Sequence, residues 1–286
     1  MGEQYKRVYC IMLEWQESDI KESLDQELND LHKTLRIEYN FSVVRIGIPS
    51  KSPEATVDKY LAAFCRAIDG TSGLKDMPIL VILFYSGHGC EVLPSQSNKE
   101  FSIAGYRELD WKKLERRFIE HSMYDHLLLI DACYAGNAVP RGSFVGLDPT
   151  QYPQFADLAN GVNRVNQFTR LHALTAADQE VVAYTGSKSF TRCLDKALQD
   201  HLALGTPFDV ASLFSTMSHV QTAGSVVAPN TRWMHFPVSP LAISGPHILI
   251  GRLSKAPLTF PRTGTHGLSA LQKQSDRRVG APESNE

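Results

Sequence analysis

Two stretches decide how this chain reads: VILFYSGHGC at residues 81–90 and LLLIDACYAG at residues 127–136. Each is an apolar run that stops at a reactive side chain. The first begins at Ile79 and ends in Ser86-Gly87-His88-Gly89; the second begins at Leu127 and ends in Asp131-Ala132-Cys133. Short apolar runs closed by turn residues read as buried strands of a parallel sheet. In open α/β sheets ligands sit outside the carboxyl ends of the strands. Residues 91–125 are long enough to hold a right-handed crossover with a helix, so the two strands can be parallel neighbours about 5 Å apart. His88 and Cys133 then meet across one cleft, as a thiol nucleophile and its base.

Working outward, strands and helices alternate. Residues 7–13 read as a strand, and Ser18 or Asp19 as the cap of a helix with Ile20, Leu24, Leu28, Leu31 and Leu35 on one face. Residues 41–48 are a second strand, stopped by Pro49. Ser52-Pro53 opens a helix with Val57, Leu61, Phe64 and Ile68 on its buried stripe. This is the pattern of a doubly wound sheet. After His88, residues 91–93 and 101–103 are expected to pair as a small hairpin over the cleft. Asp110 caps a helix carrying Trp111, Leu114 and Phe118. Residues 137–167 lack periodicity and read as a long functional loop. Residues 171–175 and 180–184 read as strands, Ser189 and Asp209 as caps of two further helices, and residues 233–237 and 247–253 as the last strands. From 254 to 286 the chain is polar and aperiodic, and is expected to be a disordered tail.

Composition narrows the function. A net charge of −2 gives no reason to expect nucleic-acid or membrane-surface binding. No apolar run approaches the ~20 residues of a membrane helix, and the amino terminus has no apolar signal core. The five cysteines are scattered and odd in number, which fits a reducing, cytoplasmic compartment rather than a disulfide framework. Cys10, Cys65 and Cys193 fall on strand or helix faces and read as core. Cys90 sits in the turn beside His88 and reads as a bystander. Ser86 lacks the Gly-x-Ser-x-Gly elbow of a serine hydrolase. His and Cys are not spaced as metal ligands, so neither a metal nor another cofactor is expected.

A free thiol is only a few per cent ionised at neutral pH; a neighbouring imidazole can activate it and later protonate a leaving amine. Gly87 and Gly89 flank His88 and let a peptide approach the backbone closely. Asp131 lies two residues before Cys133, so it projects to the same side of its strand and offers a carboxylate to the cleft.

Residues 85–89 (YSGHG) and 131–136 (DACYAG), in this order and each ending a strand, resemble the two catalytic motifs of the caspase and metacaspase superfamily (peptidase C14-like). Over residues 7–253 the chain looks most like the caspase-domain proteins of filamentous fungi. His88 precedes Cys133 by 45 positions, near the ~50 of caspases. The resemblance implies a caspase-like three-layer α/β sandwich with a mainly parallel central sheet. It implies one domain over residues 1–253, in which residues 1–136 are large-subunit-like, residues 137–168 form a linker loop and residues 169–253 are small-subunit-like. It further implies a cysteine endopeptidase with a His88/Cys133 dyad, no third member, and an oxyanion hole formed by the N–H groups of Gly89 and Cys133.

In metacaspases an acid at the position of Asp131 lines the S1 pocket and selects Arg or Lys at P1. The second acid falls on Glu27, with Asp25 as its rival. No Arg adjoins either motif, so P1 Asp is not expected. Residues 189–198 resemble the helix that opens the small-subunit region, and Arg141, Arg164 and Arg170 become candidate processing sites. The substrate would be a cytosolic protein or peptide, in regulated cell death or self/non-self recognition. Two features depart from the family: Tyr134-Ala135 stands where metacaspases commonly have His-Ser, and the loop after His88 holds only Glu91 and Glu100, so calcium activation is not expected. The alternatives are a catalytically weak or gated signalling module that docks on protein partners, and a thiol transferase on the same dyad.

Overall fold

The computed structural model describes residues 5–69, 78–92, 100–105, 107–120, 124–138, 171–177, 183, 186–222, 232–236 and 248–253. In chain order its elements are β1 (Arg7–Trp15), α1 (Lys21–Lys33), β2 (Ser42–Ile48), α2 (Pro53–Asp69), β3 (Ile79–Ser86), β4 (His88–Val92), β5 (Glu100–Ala104), β6 (Glu108–Asp110), α3 (Trp111–Glu120), β7 (Asp125–Asp131), β8 (Leu171–Thr175), α4 (Phe190–Leu204), β9 (Phe208–Asp209), α5 (Val210–Thr222), β10 (Arg232–Phe236) and β11 (Leu249–Ile250). Six strands form the central sheet in the order β10-β8-β7-β3-β1-β2. All neighbours are parallel except β10, which runs antiparallel to β8.

Strand alternation divides the core into two layers. Tyr9, Ile11, Leu13 and Trp15 of β1, with Val81, Leu83 and Tyr85 of β3 and Leu128 and Ile130 of β7, pack against α2 and α3. Cys10 and Met12, Ile82 and Phe84, and Leu127 and Leu129 face the other way, onto α1, α4 and α5. With helices on both faces, the inner strands are apolar at nearly every position. β3 is buried along its whole length. The fold is therefore the expected three-layer α/β sandwich with a mainly parallel sheet.

Local chemistry sets most boundaries. Pro53 opens α2, and Asp110 Oδ1 accepts the N–H of Lys112 (3.0 Å) at the start of α3. Ser189 caps α4 by accepting the N–H of Arg192 (3.2 Å), while Asp209 Oδ1 accepts the N–H of Ser212 (2.7 Å) at α5. The hairpin after His88 is present but starts earlier than expected: β4 begins at His88 itself and pairs antiparallel with β5, Glu91 opposite Phe101.

Two expectations are corrected. The N-cap of α1 is Ile20, with no side-chain cap, so neither Ser18 nor Asp19 fills that role. The last strand is only β11; it leaves the central sheet and pairs with β9 in a separate two-stranded sheet. Residues 139–170 and 254–286, with Arg141, Arg164, Arg170, most of the 137–168 linker and the expected tail, lie outside the described residues, as do most of 180–184.

His126 is fully buried in β7, its ring edge-on to Phe118 at 5.1 Å. Burial pushes its imidazole down to about 3. The folded chain thus holds it neutral, while the unfolded chain takes up a proton below about 6.5. Stability is expected to fall as pH drops from about 6.5 toward about 3. Urea midpoints at pH 7 and 4.5 check this: His126→Leu should lose less between the two pH values than the wild type.

Candidate active site at the carboxyl ends of the sheet

Four parallel neighbours, β1, β3, β7 and β8, end at one edge of the sheet, and the segment after each end contributes to a single cluster. Asp19 follows β1, His88 follows β3, Cys133 follows β7 and Ala183 follows β8. The β3–β7 register places Ser86 opposite Asp131. His88 and Cys133 each lie two residues beyond that pair.

Gly89 shows how tightly the two motifs meet. A Cβ there would stand 2.3 Å from the carbonyl oxygen of Cys133 and 2.6 Å from the ring of Phe101, so no side chain fits. Gly87 ties the crossing further: its N–H donates to the carbonyl of Asp131 (3.0 Å). The Tyr85 hydroxyl donates to the carbonyl of His88 (2.7 Å). At Gly87 (φ 155°) a Cβ would meet that hydroxyl at 2.6 Å.

Cys133 is partly exposed. The next residue, Tyr134, takes φ 58°, a left-handed conformation that is unusual for a bulky side chain. It swings the chain from β7 into a tight turn closed by the Asn137 N–H on the Tyr134 carbonyl (2.9 Å), leaving the thiol at the corner. The N–H of Ala183 donates to Cys133 Sγ (3.4 Å).

The sequence presents Asp19 only as a helix cap and predicts no third member of the dyad. In the structure its Oδ1 lies 2.7 Å from His88 Nε2. That hydrogen bond holds the Asp19 carboxyl below the usual carboxylate range.

Asp131 and Glu27 are brought together by the start of α4. Asp131 is buried and its Oδ2 accepts from Thr191 Oγ1 (2.5 Å), Thr191 N–H (3.2 Å) and Ser86 Oγ (3.5 Å). Glu27 is buried too, accepting from Ser189 Oγ (2.6 Å) and Arg192 Nε (2.9 Å). Burial pushes the Asp131 carboxyl up to about 6 against the hydrogen bonds from Thr191, and the charge of Glu27 adds to the rise. The rival acid, Asp25, instead faces Arg45 (3.4 Å), which also pairs with the buried Glu14 (2.7 Å).

No protein-family model matches the chain, and no curated protein matches it in sequence. Solved structures match it in shape. Caspase-1 from Spodoptera frugiperda superposes with a TM-score of 0.50 at 13% identity, covering 83% of this chain and 92% of its own. A structural-genomics protein from Geobacter sulfurreducens gives a TM-score of 0.49 at 14% identity, over 89% of this chain and 99% of its own. The fold is caspase-like. At such identity the likeness with caspase-1 is one of architecture alone. Among the described residues no helix is long and apolar enough to cross a membrane.

The caspase-like frame separates the cysteines. Cys10 and Cys193 are buried; burial raises the Cys10 thiol far above the normal range and pushes Cys193 up to about 11. Burial likewise pushes Cys90 up to about 11, and its sulfur donates to the Ser102 carbonyl (3.7 Å). Iodoacetamide at pH 7 should therefore modify Cys133 ahead of Cys90, with Cys10 and Cys193 spared while the protein is folded. Peptide mapping by mass spectrometry checks the order.

Proposed function

We propose that the protein is a cysteine endopeptidase of metacaspase type that cleaves cytosolic proteins or peptides after Arg or Lys. The observation that carries this reading is the contact between the two motifs. His88 and Cys133 follow the ends of adjacent, in-register parallel strands, with Gly89 pressed against the Cys133 carbonyl.

In this reading His88 takes the Cys133 proton and the thiolate attacks the scissile carbonyl carbon. The negative charge moves onto the carbonyl oxygen, where the N–H groups of Gly89 and Cys133 receive it. Each such donor contributes roughly 3 kcal/mol in the transition state. Collapse of the tetrahedral intermediate breaks the C–N bond, and His88 gives its proton to the departing amine. A water deprotonated by His88 then attacks the thioester, releasing the acid and restoring the thiol.

Asp131 and Glu27 are the acids of the S1 pocket. Thr191 and Ser86 hold Asp131 through Oδ2, which leaves Oδ1 for a cation. The guanidinium of Arg192 pairs with Glu27, which supports an acid that takes a basic side chain. That same pairing favours a second reading, a gated caspase-like signalling module whose acid pocket is filled by its own arginine until a protein partner shifts α4. A role in regulated cell death fits either form. Nothing in the charge calls for nucleic acid or membrane as a partner.

Fluorogenic peptides with Arg, Lys or Asp at P1 test the reading, run with and without calcium. Cleavage after Arg and Lys is expected, falling by a factor of roughly 10³ or more in Cys133→Ala and His88→Ala. Because Asp131 titrates at about 6, KM for these peptides should rise as pH falls through that value and the carboxylate is neutralised. Asp131→Asn should lower kcat/KM on the order of a hundredfold and remove that pH step. Cleavage after Asp would overturn the pocket. No cleavage under any condition would favour the gated module.

A further inference from the structure

We propose that Asp19 is the positioning residue of this site: its carboxylate holds the Nε2–H of His88 and thereby fixes the ring in the tautomer that presents Nδ1 as the base for Cys133. Asp19 stands at the entrance of α1, where an Asp normally gives its carboxylate to the helix N–H groups. Here the N-cap is Ile20 and no side chain caps the helix. The carboxylate keeps a long contact from Ser18 Oγ (3.5 Å), but its short hydrogen bond goes to a residue 69 positions away, with Oδ1 at 2.7 Å from His88 Nε2. An acid at an uncapped helix entrance whose strongest partner lies across the fold marks a functional position.

The pair sits in the open, with side-chain exposures of 42% for His88 and 77% for Asp19. An exposed ion pair adds little to stability, so the contact has no evident role in holding the fold. What it does change is the chemistry of the ring. A neutral imidazole carries one N–H and one lone pair, and the partner of one nitrogen decides the role of the other. A carboxylate on Nε2 demands the proton there, so the lone pair stays on Nδ1. Among the described residues no other group hydrogen-bonds the ring, which leaves Nδ1 to take the thiol proton. When His88 carries both protons during the reaction, the same carboxylate faces the positive ring. The residue is then held at two points: by Asp19 at Nε2, and at its backbone by Tyr85 Oη on the His88 carbonyl.

The turnover arm of the test rests on the peptidase reading; the spectroscopic arm does not. Long-range ¹H–¹⁵N NMR of histidine-labelled protein reads the tautomer directly. In the neutral ring of the wild type, His88 should be the Nε2–H form. Asp19→Asn, which can offer an N–H in place of an acceptor, should shift His88 toward the Nδ1–H form. In peptide cleavage, Asp19→Asn and Asp19→Ala should lower kcat about tenfold to a hundredfold with KM little changed, and Asp19→Glu should recover some of the loss. Asp19 is exposed, so these variants should keep the wild-type fold, which circular dichroism checks. An Nδ1–H tautomer in the wild type, or a tautomer unaltered in Asp19→Asn, would overturn the proposal, as would an unchanged kcat in an active enzyme. A wild type without turnover but with the expected tautomer shift would count against the peptidase while supporting the role of Asp19.

Discussion

The register between β3 and β7 is the constraint on which the rest depends. Ser86 lies opposite Asp131, and His88 and Cys133 are each placed two residues beyond that pair. Strand side chains alternate faces, so a one-residue slip would send Asp131 into the opposite helix layer and take the thiol corner away from the imidazole. The slip is costly because both strands are buried on both faces. Leu83 and Ile130 belong to one core layer, Phe84 and Leu129 to the other, and a shift would mismatch both at once. The hydrophobic core thereby brings together the strand ends that carry His88 and Cys133, 45 residues apart in sequence.

A second tie holds two buried carboxylates beside the strand ends. The first turn of α4 serves two buried carboxylates: Ser189 reaches Glu27 and Thr191 reaches Asp131. The free N–H groups and dipole of a helix amino terminus favour negative charge there, which lets two acids sit close together inside the protein. Even so, burial keeps the Asp131 carboxyl at about 6, poised to change charge just below neutrality. The tie joins α1, β7 and α4, segments that come from both sides of the long connection after Cys133. A movement of α4 would therefore act on both buried carboxylates.

Much of this is legible in the sequence because it is written in local patterns. The apolar runs ending at His88 and Cys133, the caps at Asp110, Ser189 and Asp209, and the proline opening α2 each report on their own neighbourhood. The features that local patterns miss or misplace depend on contacts across the fold. Asp19 has the sequence context of a helix cap, and only the position of His88 on a neighbouring strand end gives its carboxylate another use. Glu27 and Asp25 sit on one helix two residues apart, and choosing between them needs to know that Arg45 of β2 draws Asp25 away while Arg192 and Ser189 hold Glu27. β11 reads as a seven-residue apolar strand, yet the sheet edge is already closed by β10, and only Leu249–Ile250 pair, with β9. The Ala183 N–H on the Cys133 sulfur is a backbone contact, for which side-chain patterns carry no signal.

The proposed site is a single nucleophilic centre, His88 with Cys133, that takes a basic side chain beside it. Covalent capture by a peptidyl-arginine acyloxymethyl ketone tests it most directly, because the warhead alkylates only a thiolate held in attacking geometry with the P1 side chain in its pocket. A single adduct by intact mass is expected, mapped to Cys133, lost in His88→Ala and much slower with an Asp analogue of the reagent. An adduct on Cys90, or labelling of Cys133 that is unaffected by His88→Ala, would contradict it.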